Sequence, residues 1–147
     1  MNTITVDEYH KLTGQSKWSR ATATYACLKC GQSQAIIWKG AKRECAVCKT
    51  PARRFPSKTE ARVYGRLVKD YGAENVYCQV RFPLLSIART DAGIPMYFTL
   101  DFIVTAHPLA SKLYMDAKSG TRRSRDWARG RAAFEKMMGC KVQEISQ

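Results

Sequence analysis

The chain is most constrained by two CxxC knuckles, Cys27-Leu28-Lys29-Cys30 and Cys45-Ala46-Val47-Cys48, separated by 14 residues. A CxxC turn doubles back so that both sulfurs face one point. Two such turns complete the four-coordinate tetrahedron that zinc takes with thiolates. Gly31 follows the first pair, where a tight turn favours a residue without a Cβ, and residues 35–40 (AIIWKG) between the pairs read as a short strand. Four thiolates leave no open coordination position, so the expected Zn2+ is structural, folding a segment too short to bury a core of its own. Two disulfides or redox dithiols are the competing chemistries. A redox CxxC sits alone beside a βαβ pattern, and six cysteines in 147 residues fall below the ~8–10% of a disulfide-built scaffold. Cys78 and Cys140, in strand and helix-end contexts, read as buried thiols rather than ligands.

Charge narrows the partner. Twenty-five Lys+Arg against 12 Asp+Glu give a formal net charge of +13, which points to a polyanion such as nucleic acid. With 45% hydrophobic residues the chain can build a core, which argues against a disordered basic tail. No apolar run approaches the ~18–20 residues that span a bilayer, so no membrane association is expected. The opening MNTITVDEYHKLTG is polar and acidic rather than a secretory leader, and a cytoplasmic location follows as the expectation.

Three regions result. Residues 1–24 form a polar lead-in with a short helix expected over residues 6–12, capped by Thr5 and edged by Tyr9 and Leu12. Residues 25–54 are the zinc ribbon, and residues 55–147 carry a mixed α/β pattern, a sheet flanked by helices. In that last region Ser57 caps a helix running to Tyr71, with Gly72 at its end and Tyr64, Leu67, Val68 and Tyr71 as its buried stripe. Strands follow over residues 75–84 and 96–105, joined by a turn-rich SIARTDAGIP, and a third over residues 112–118. A second helix is expected over residues 124–138, with Trp127, Ala128, the stem of Arg131, Phe134 and Met138 on its apolar face, then a closing strand over residues 141–145.

In so basic a chain the carboxylates are informative. Asp101 interrupts the apolar run YFTLDFIV, a costly place for a charge unless a cation or hydrogen bonds compensate it. Asp116-Ala117-Lys118 ends another apolar strand, and residues two apart on a strand share a side, so Asp116 and Lys118 face one place with Asp101 able to join from the next strand. Glu60 lies four residues before Tyr64, on the inward face of the first helix. Carboxylates with a lysine on a sheet edge suit metal-dependent phosphodiester cleavage: Mg2+ or Mn2+ on Glu60, Asp101 and Asp116, with Lys118 steadying charge or orienting a water. Each residue also has a structural reading. Ser57-Lys58-Thr59-Glu60 matches a capping box, and Asp101 is a core carboxylate if an arginine satisfies it.

The order Glu60, Asp101, Asp116-Ala117-Lys118 resembles that of the PD-(D/E)xK superfamily of restriction endonucleases and archaeal Holliday-junction resolvases. FPSKTEARVY, QVRFPL, YFTLDFIV, YMDAKSG and GCKVQEI are similar, more narrowly, to a family of small phage-encoded, resolvase-like nucleases. The resemblance covers roughly residues 55–146. It implies a restriction-endonuclease-like fold, Glu60, Asp101 and Asp116 as metal ligands and Lys118 as the catalytic lysine. It also implies an endonuclease acting on branched DNA in recombination, leaving a 5′-phosphate, and expressed by a phage in its host. Leu100 stands where the superfamily name has proline, Asp116 takes the place of the more frequent Glu, and the zinc ribbon is an addition to the smallest resolvases.

Arg122, Arg123, Arg125, Arg129 and Arg131 begin just past Lys118, and arginine forks suit phosphate contacts that set position rather than sequence preference. They are the expected DNA contacts, with Lys42 and Arg43 of the ribbon, whose Lys29, Lys39 and Lys49 are basic too. Trp127 beside the arginines favours core packing over base stacking. Symmetric two-strand cutting calls for a homodimer. The rival reading is a non-catalytic zinc-ribbon nucleic-acid-binding accessory protein, which accounts for the ribbon and the charge but not for the three carboxylates.

Overall fold

The computed structural model describes residues 24–84, 88–105, 112–117 and 124–146. The expected helix over residues 6–12, Lys118, Arg122 and Arg123 lie outside the described residues. Among the described residues the element order is β1 (Tyr25–Cys27), β2 (Ile36–Lys39), β3 (Lys42–Cys45), β4 (Ala52–Arg54), α1 (Lys58–Tyr71), a 3-10 turn (Ala73–Asn75), β5 (Val76–Pro83), β6 (Tyr97–Val104), β7 (Leu113–Ala117), α2 (Arg125–Met138) and β8 (Val142–Ile145). The chain is mixed α/β, as its patterning predicts. β1 pairs with β4 and β2 with β3, each antiparallel. The main sheet runs β5-β6-β7-β8, antiparallel except for β7 and β8, which lie parallel across α2. No helix among the described residues is long and apolar enough to cross a membrane.

Both helices begin as their sequences dictate. The Ser57 Oγ accepts from the Glu60 N–H at 3.1 Å, and the Ser124 Oγ accepts from the Trp127 N–H at 3.1 Å, each satisfying a donor that the first turn would otherwise orphan. At its other end α1 stops at Gly72, whose N–H returns to the Val68 carbonyl.

Two apolar cores lie against the main sheet. The first gathers Ala61, Val63, Tyr64, Leu67 and Val68 of α1 with Val76, Phe102, Val104, Leu113, Met115 and Ala117, and reaches into the ribbon through Ala26 and Phe55. The second sets Phe134 of α2 with Leu84, Met96, Phe98, Leu100, Ile103 and Val142, and takes in Val80, Phe82 and the half-buried Trp127. Trp127 therefore packs, its ring 6.2 Å from that of Phe98.

The hairpin β5–β6 feeds both cores. Strand alternation should keep Val76, Cys78, Val80 and Phe82 on one side, yet the first two join the α1 core and the last two the α2 core. Across the ladder, Phe102 and Val104 join the first core, Phe98 and Leu100 the second. The switch falls at Gln79, which takes φ 52 inside the strand, opposite Asp101, where the ladder skips a pair between Cys78↔Phe102 and Val80↔Leu100. Left-handed backbone at a non-glycine residue costs about 1–2 kcal/mol, so its surroundings must hold it there.

Helix α1 also seats the ribbon. Gly65 and Gly31 meet backbone to backbone: a Cβ on Gly65 would come 2.6 Å from the Gly31 carbonyl oxygen, and one on Gly31 would come 2.7 Å from the Gly65 Cα. One residue earlier, the buried Tyr64 hydroxyl donates to the Leu28 carbonyl at 2.8 Å. Gly65→Ala tests this seat, because two effects oppose. Alanine improves an exposed helix interior by about 1 kcal/mol, whereas forcing a methyl into a backbone contact costs about 1–3 kcal/mol. The contact should win, lowering the thermal midpoint by several degrees in a melt followed by circular dichroism. A raised midpoint would show that the ribbon does not rest on α1 in this way.

Candidate functional site

The two knuckles are near copies. Gly31 N–H donates to the Cys27 carbonyl at 2.8 Å, and Lys49 N–H to the Cys45 carbonyl at 2.9 Å. Gly31 has φ 72, and Lys49, at the matching place, has φ 56. Backbone N–H groups also point at the sulfurs: Lys29 and Cys30 at Cys27 Sγ (3.4 and 3.5 Å), and Cys48 at Cys45 Sγ (3.5 Å). The consequence is convergence. The four Sγ atoms of Cys27, Cys30, Cys45 and Cys48 all lie within 4.8 Å of one another. Cys30 Sγ and Cys45 Sγ are 3.7 Å apart, and a tetrahedron with about 2.3 Å Zn–S bonds has edges of ~3.8 Å. These thiols form a group able to hold a metal ion such as zinc.

Electrostatics agrees with geometry. Burial pushes the Cys30 thiol up to about 12. Burial would also raise Cys45, but the N–H groups of Cys48 and Val47, together with the Cys30 and Cys27 thiols, outweigh it and bring that thiol down to about 7. Thiols this close cannot all ionise without a compensating charge, and a divalent cation supplies it. Cys78 and Cys140 are half-buried and belong to the α1 and α2 cores. Burial raises both thiols, Cys78 to about 11, consistent with packing rather than ligation.

The carboxylates gather differently. The Gln79 Nε2 donates to Glu60 Oε2 at 2.8 Å and to Asp101 Oδ1 at 3.2 Å, so helix and strand acids share one amide nitrogen. The other Asp101 oxygen accepts the Ala117 N–H at 2.7 Å, which ties β6 to the residue after Asp116. Asp116 is only 2% exposed, a burial that few ionisable side chains reach without partners. The capping reading of Glu60 holds as well: Ser57 Oγ donates to Glu60 Oε1 at 3.1 Å while accepting the Glu60 N–H. One carboxylate oxygen serves the helix start and the other faces Gln79.

Among the described residues the cysteines are the only acid, histidine or thiol group whose ligand atoms all fall within 4.8 Å, so Glu60, Asp101 and Asp116 do not converge to that degree. Alternation accounts for the spread: Met115 and Ala117 join the α1 core, which turns Asp116 toward the Tyr114 side of β7. Glu60 and Asp101 meet through Gln79, whereas Asp116 is joined to them through main chain. Gln79 is the residue that sequence reasoning missed. A polar residue in the middle of the strand pattern VYCQVRF was its only signal.

The basic residues divide. Arg131 donates to Glu135 (3.1 Å), to Glu144 (2.9 Å) and to the Val142 carbonyl (2.7 Å), locking α2 to β8, and its guanidinium lies 5.5 Å from the Trp127 ring centroid. The Val142 N–H first, then Arg131 and Lys141, hold the Glu135 carboxyl below its ordinary range. Arg129 is paired with Asp91 at 2.6 Å and Asp126 at 3.4 Å. Arg125 and Lys42 are exposed. Arg43 stacks over Tyr25 at 4.4 Å and Trp38 at 5.5 Å.

No family model matches this chain, and neither a curated protein nor a solved structure shows a significant match to it.

Purified chain should carry one equivalent of zinc, and Co2+ in its place should give the intense near-ultraviolet charge-transfer absorption of thiolate ligation. Removing the metal should lower the melting midpoint and open the ribbon to proteolysis, because structural zinc contributes folding free energy directly. Acid should release it, since only thiolates bind. An unchanged melt after complete metal removal would show that the cysteines are not a structural centre.

Proposed function

We propose that this chain is a metal-dependent DNA endonuclease of restriction-endonuclease-like fold, acting by preference on branched DNA such as four-way junctions. One observation carries the reading: Glu60 and Asp101 converge on a single Gln79 amide, and Asp101 is tied in turn to the main chain that follows the buried Asp116, in a chain of net charge +13. Repelling carboxylates are seldom gathered without a cationic task, and the surrounding positive charge draws a phosphodiester to them. The donor set fits a hard divalent ion, since oxygen ligands suit Mg2+ or Mn2+, and Glu60, Asp101 and Asp116 are the residues that would hold it. When bound, such an ion supplies charge neutralisation at the phosphate and a water of lowered pKa.

The chain's own groups do the rest. Gln79 holds the Glu60 and Asp101 oxygens in register. The Ala117 N–H fixes the rotamer of Asp101. Lys118, in its superfamily role, steadies the developing charge. Zn2+ on the four cysteines is structural. A homodimer, which two symmetric cuts require, completes the reading.

The Ser57–Glu60 capping contact favours a second reading, in which Glu60 serves only α1 and the protein is a zinc-ribbon nucleic-acid-binding accessory factor. Cleavage assays separate the two. Four-way junction, duplex and single-stranded DNA are incubated with zinc-loaded protein, with and without Mg2+. Cutting should require Mg2+ and favour the junction. Asp101→Asn, Asp116→Ala and Lys118→Ala should each lower the rate by ~10²-fold or more, the scale of several kcal/mol of transition-state stabilisation, with DNA binding retained. Well-folded protein that cuts no substrate under any divalent ion would overturn the enzyme reading and leave the accessory factor.

A further inference from the structure

A groove of about 890 Å3 runs between the first cysteine knuckle and helix α1, away from the carboxylates. Its knuckle wall carries Lys29, and its helix wall carries Arg62, Arg66 and Lys69; all four are exposed. Its floor is the Gly31–Gly65 contact, where backbone stands bare because neither position has room for a Cβ. No described lining residue is a carboxylate or an aromatic. Glu60 and Asp70, which flank the helix wall in sequence, lie outside the lining, and Asp70 reaches Arg66 only as an exposed pair at 3.9 Å. Such a pair is weak and screened.

We propose that this groove binds the sugar-phosphate backbone of double-stranded DNA, as a surface separate from the Glu60–Asp101 cluster. The lining chemistry selects the ligand. Lysine and arginine with Gln32, Ser33 and Gln34 are the side chains that contact phosphate and sugar, and they carry no base information. A protein partner would call for an aromatic anchor at the centre, and single-stranded nucleic acid for aromatic platforms on which bases stack; the described lining offers neither. Spacing agrees as well. Arg62, Arg66 and Lys69 fall at i, i+4 and i+7 along one stripe of α1, a rise of about 10 Å. That length matches about three phosphate-to-phosphate steps of one strand at ~3.4 Å of axial rise each.

The surface is distinct from the cleavage site because Arg62 is turned about 200° around the helix from Glu60. The cysteine centre shapes the groove, since Lys29 lies inside the first CxxC and Gly31 directly follows it. The proposal rests on the DNA reading above only for its choice of polyanion.

The test is fluorescence anisotropy of a labelled blunt duplex with full-length, zinc-loaded protein, over a salt series without Mg2+. Lys29→Ala/Arg66→Ala/Lys69→Ala is compared with Lys112→Ala/Lys136→Ala/Lys141→Ala, which removes equal charge elsewhere. The groove variant should bind at least about tenfold more weakly, with its log K against log salt slope reduced by about 2–3, as loss of three phosphate contacts requires. The control variant should change much less on both counts. Equal losses in the two variants, no loss in either, or a loss seen with single strands but not with duplex would each overturn the proposal. Zinc content and melting midpoint are measured for both variants. If the groove variant is unfolded, Lys29→Gln/Arg66→Gln is read instead, with a slope change of about 2 expected. Mg2+-dependent cleavage by the wild-type chain is scored separately. A groove effect without cleavage overturns only the nuclease reading, and cleavage without a groove effect overturns only this inference.

Discussion

The arrangement turns on a break in one hairpin. Strands β5 and β6 are long enough to lie under both helices, but a regular ladder would present one apolar face to one helix alone. The left-handed turn at Gln79 and the missing pair opposite Asp101 rotate the strands, so that the same parity of side chains serves α1 before the break and α2 after it. Neither core can accept what sits at the crossing. An amide and a carboxylate therefore occupy it, where interrupted pairing leaves room for them, and the Ala117 N–H of the next strand completes the set. Strain at Gln79 and convergence of Glu60 with Asp101 are one feature seen twice: the amide that joins the acids belongs to the residue whose backbone makes the crossing possible.

Much of this was legible in sequence where a local rule governs. Ser57 and Ser124 start helices because their hydroxyls reach the third N–H of the first turn, and each helix is bounded within a residue of its cap. The cysteine spacing carried its own geometry, down to the turn glycine at Gly31. Lys49 in the same conformation at the second knuckle was not legible, because nothing local marks a lysine for positive φ; the Cys45 carbonyl and the repeated hairpin geometry impose it. Asp101 stood out as a charge in an apolar run, but Gln79 did not, since one polar residue in a half-exposed strand is ordinary. The loss of parity across the crossing is a tertiary property of two cores sharing one hairpin. Side-chain alternation alone argues for the opposite.

The arginine run shows the same limit. Read along the chain, it is a block of positive charge. In space, Arg131 is a tie between α2 and β8, held by Glu135 and Glu144, and Arg129 secures the segment around Asp91. Acids both near in sequence, Asp126 and Glu135, and distant, Asp91 and Glu144, claim them. Arg62, Arg66 and Lys69 had no such prominence, because helical spacing dilutes them in the linear text. The stripe emerges only once residues four and three apart are brought onto one face. Position in the linear text thus does not tell which cations acids claim: Arg129 and Arg131 are held by close carboxylates, whereas Arg66 meets Asp70 only as an exposed pair at 3.9 Å.

Helix α1 links the cysteine cluster to the carboxylates. Its first turn carries Glu60. One turn on, Tyr64 reaches the Leu28 carbonyl inside the first knuckle, and Gly65 abuts the residue that follows Cys30. The ribbon shares Ala26 with the core under α1 and so is packed into the fold. Glu60 rides on this helix, whereas Asp101 is held by the Ala117 N–H within the sheet. The helix that the ribbon abuts thus carries one half of the carboxylate pair, and the sheet carries the other.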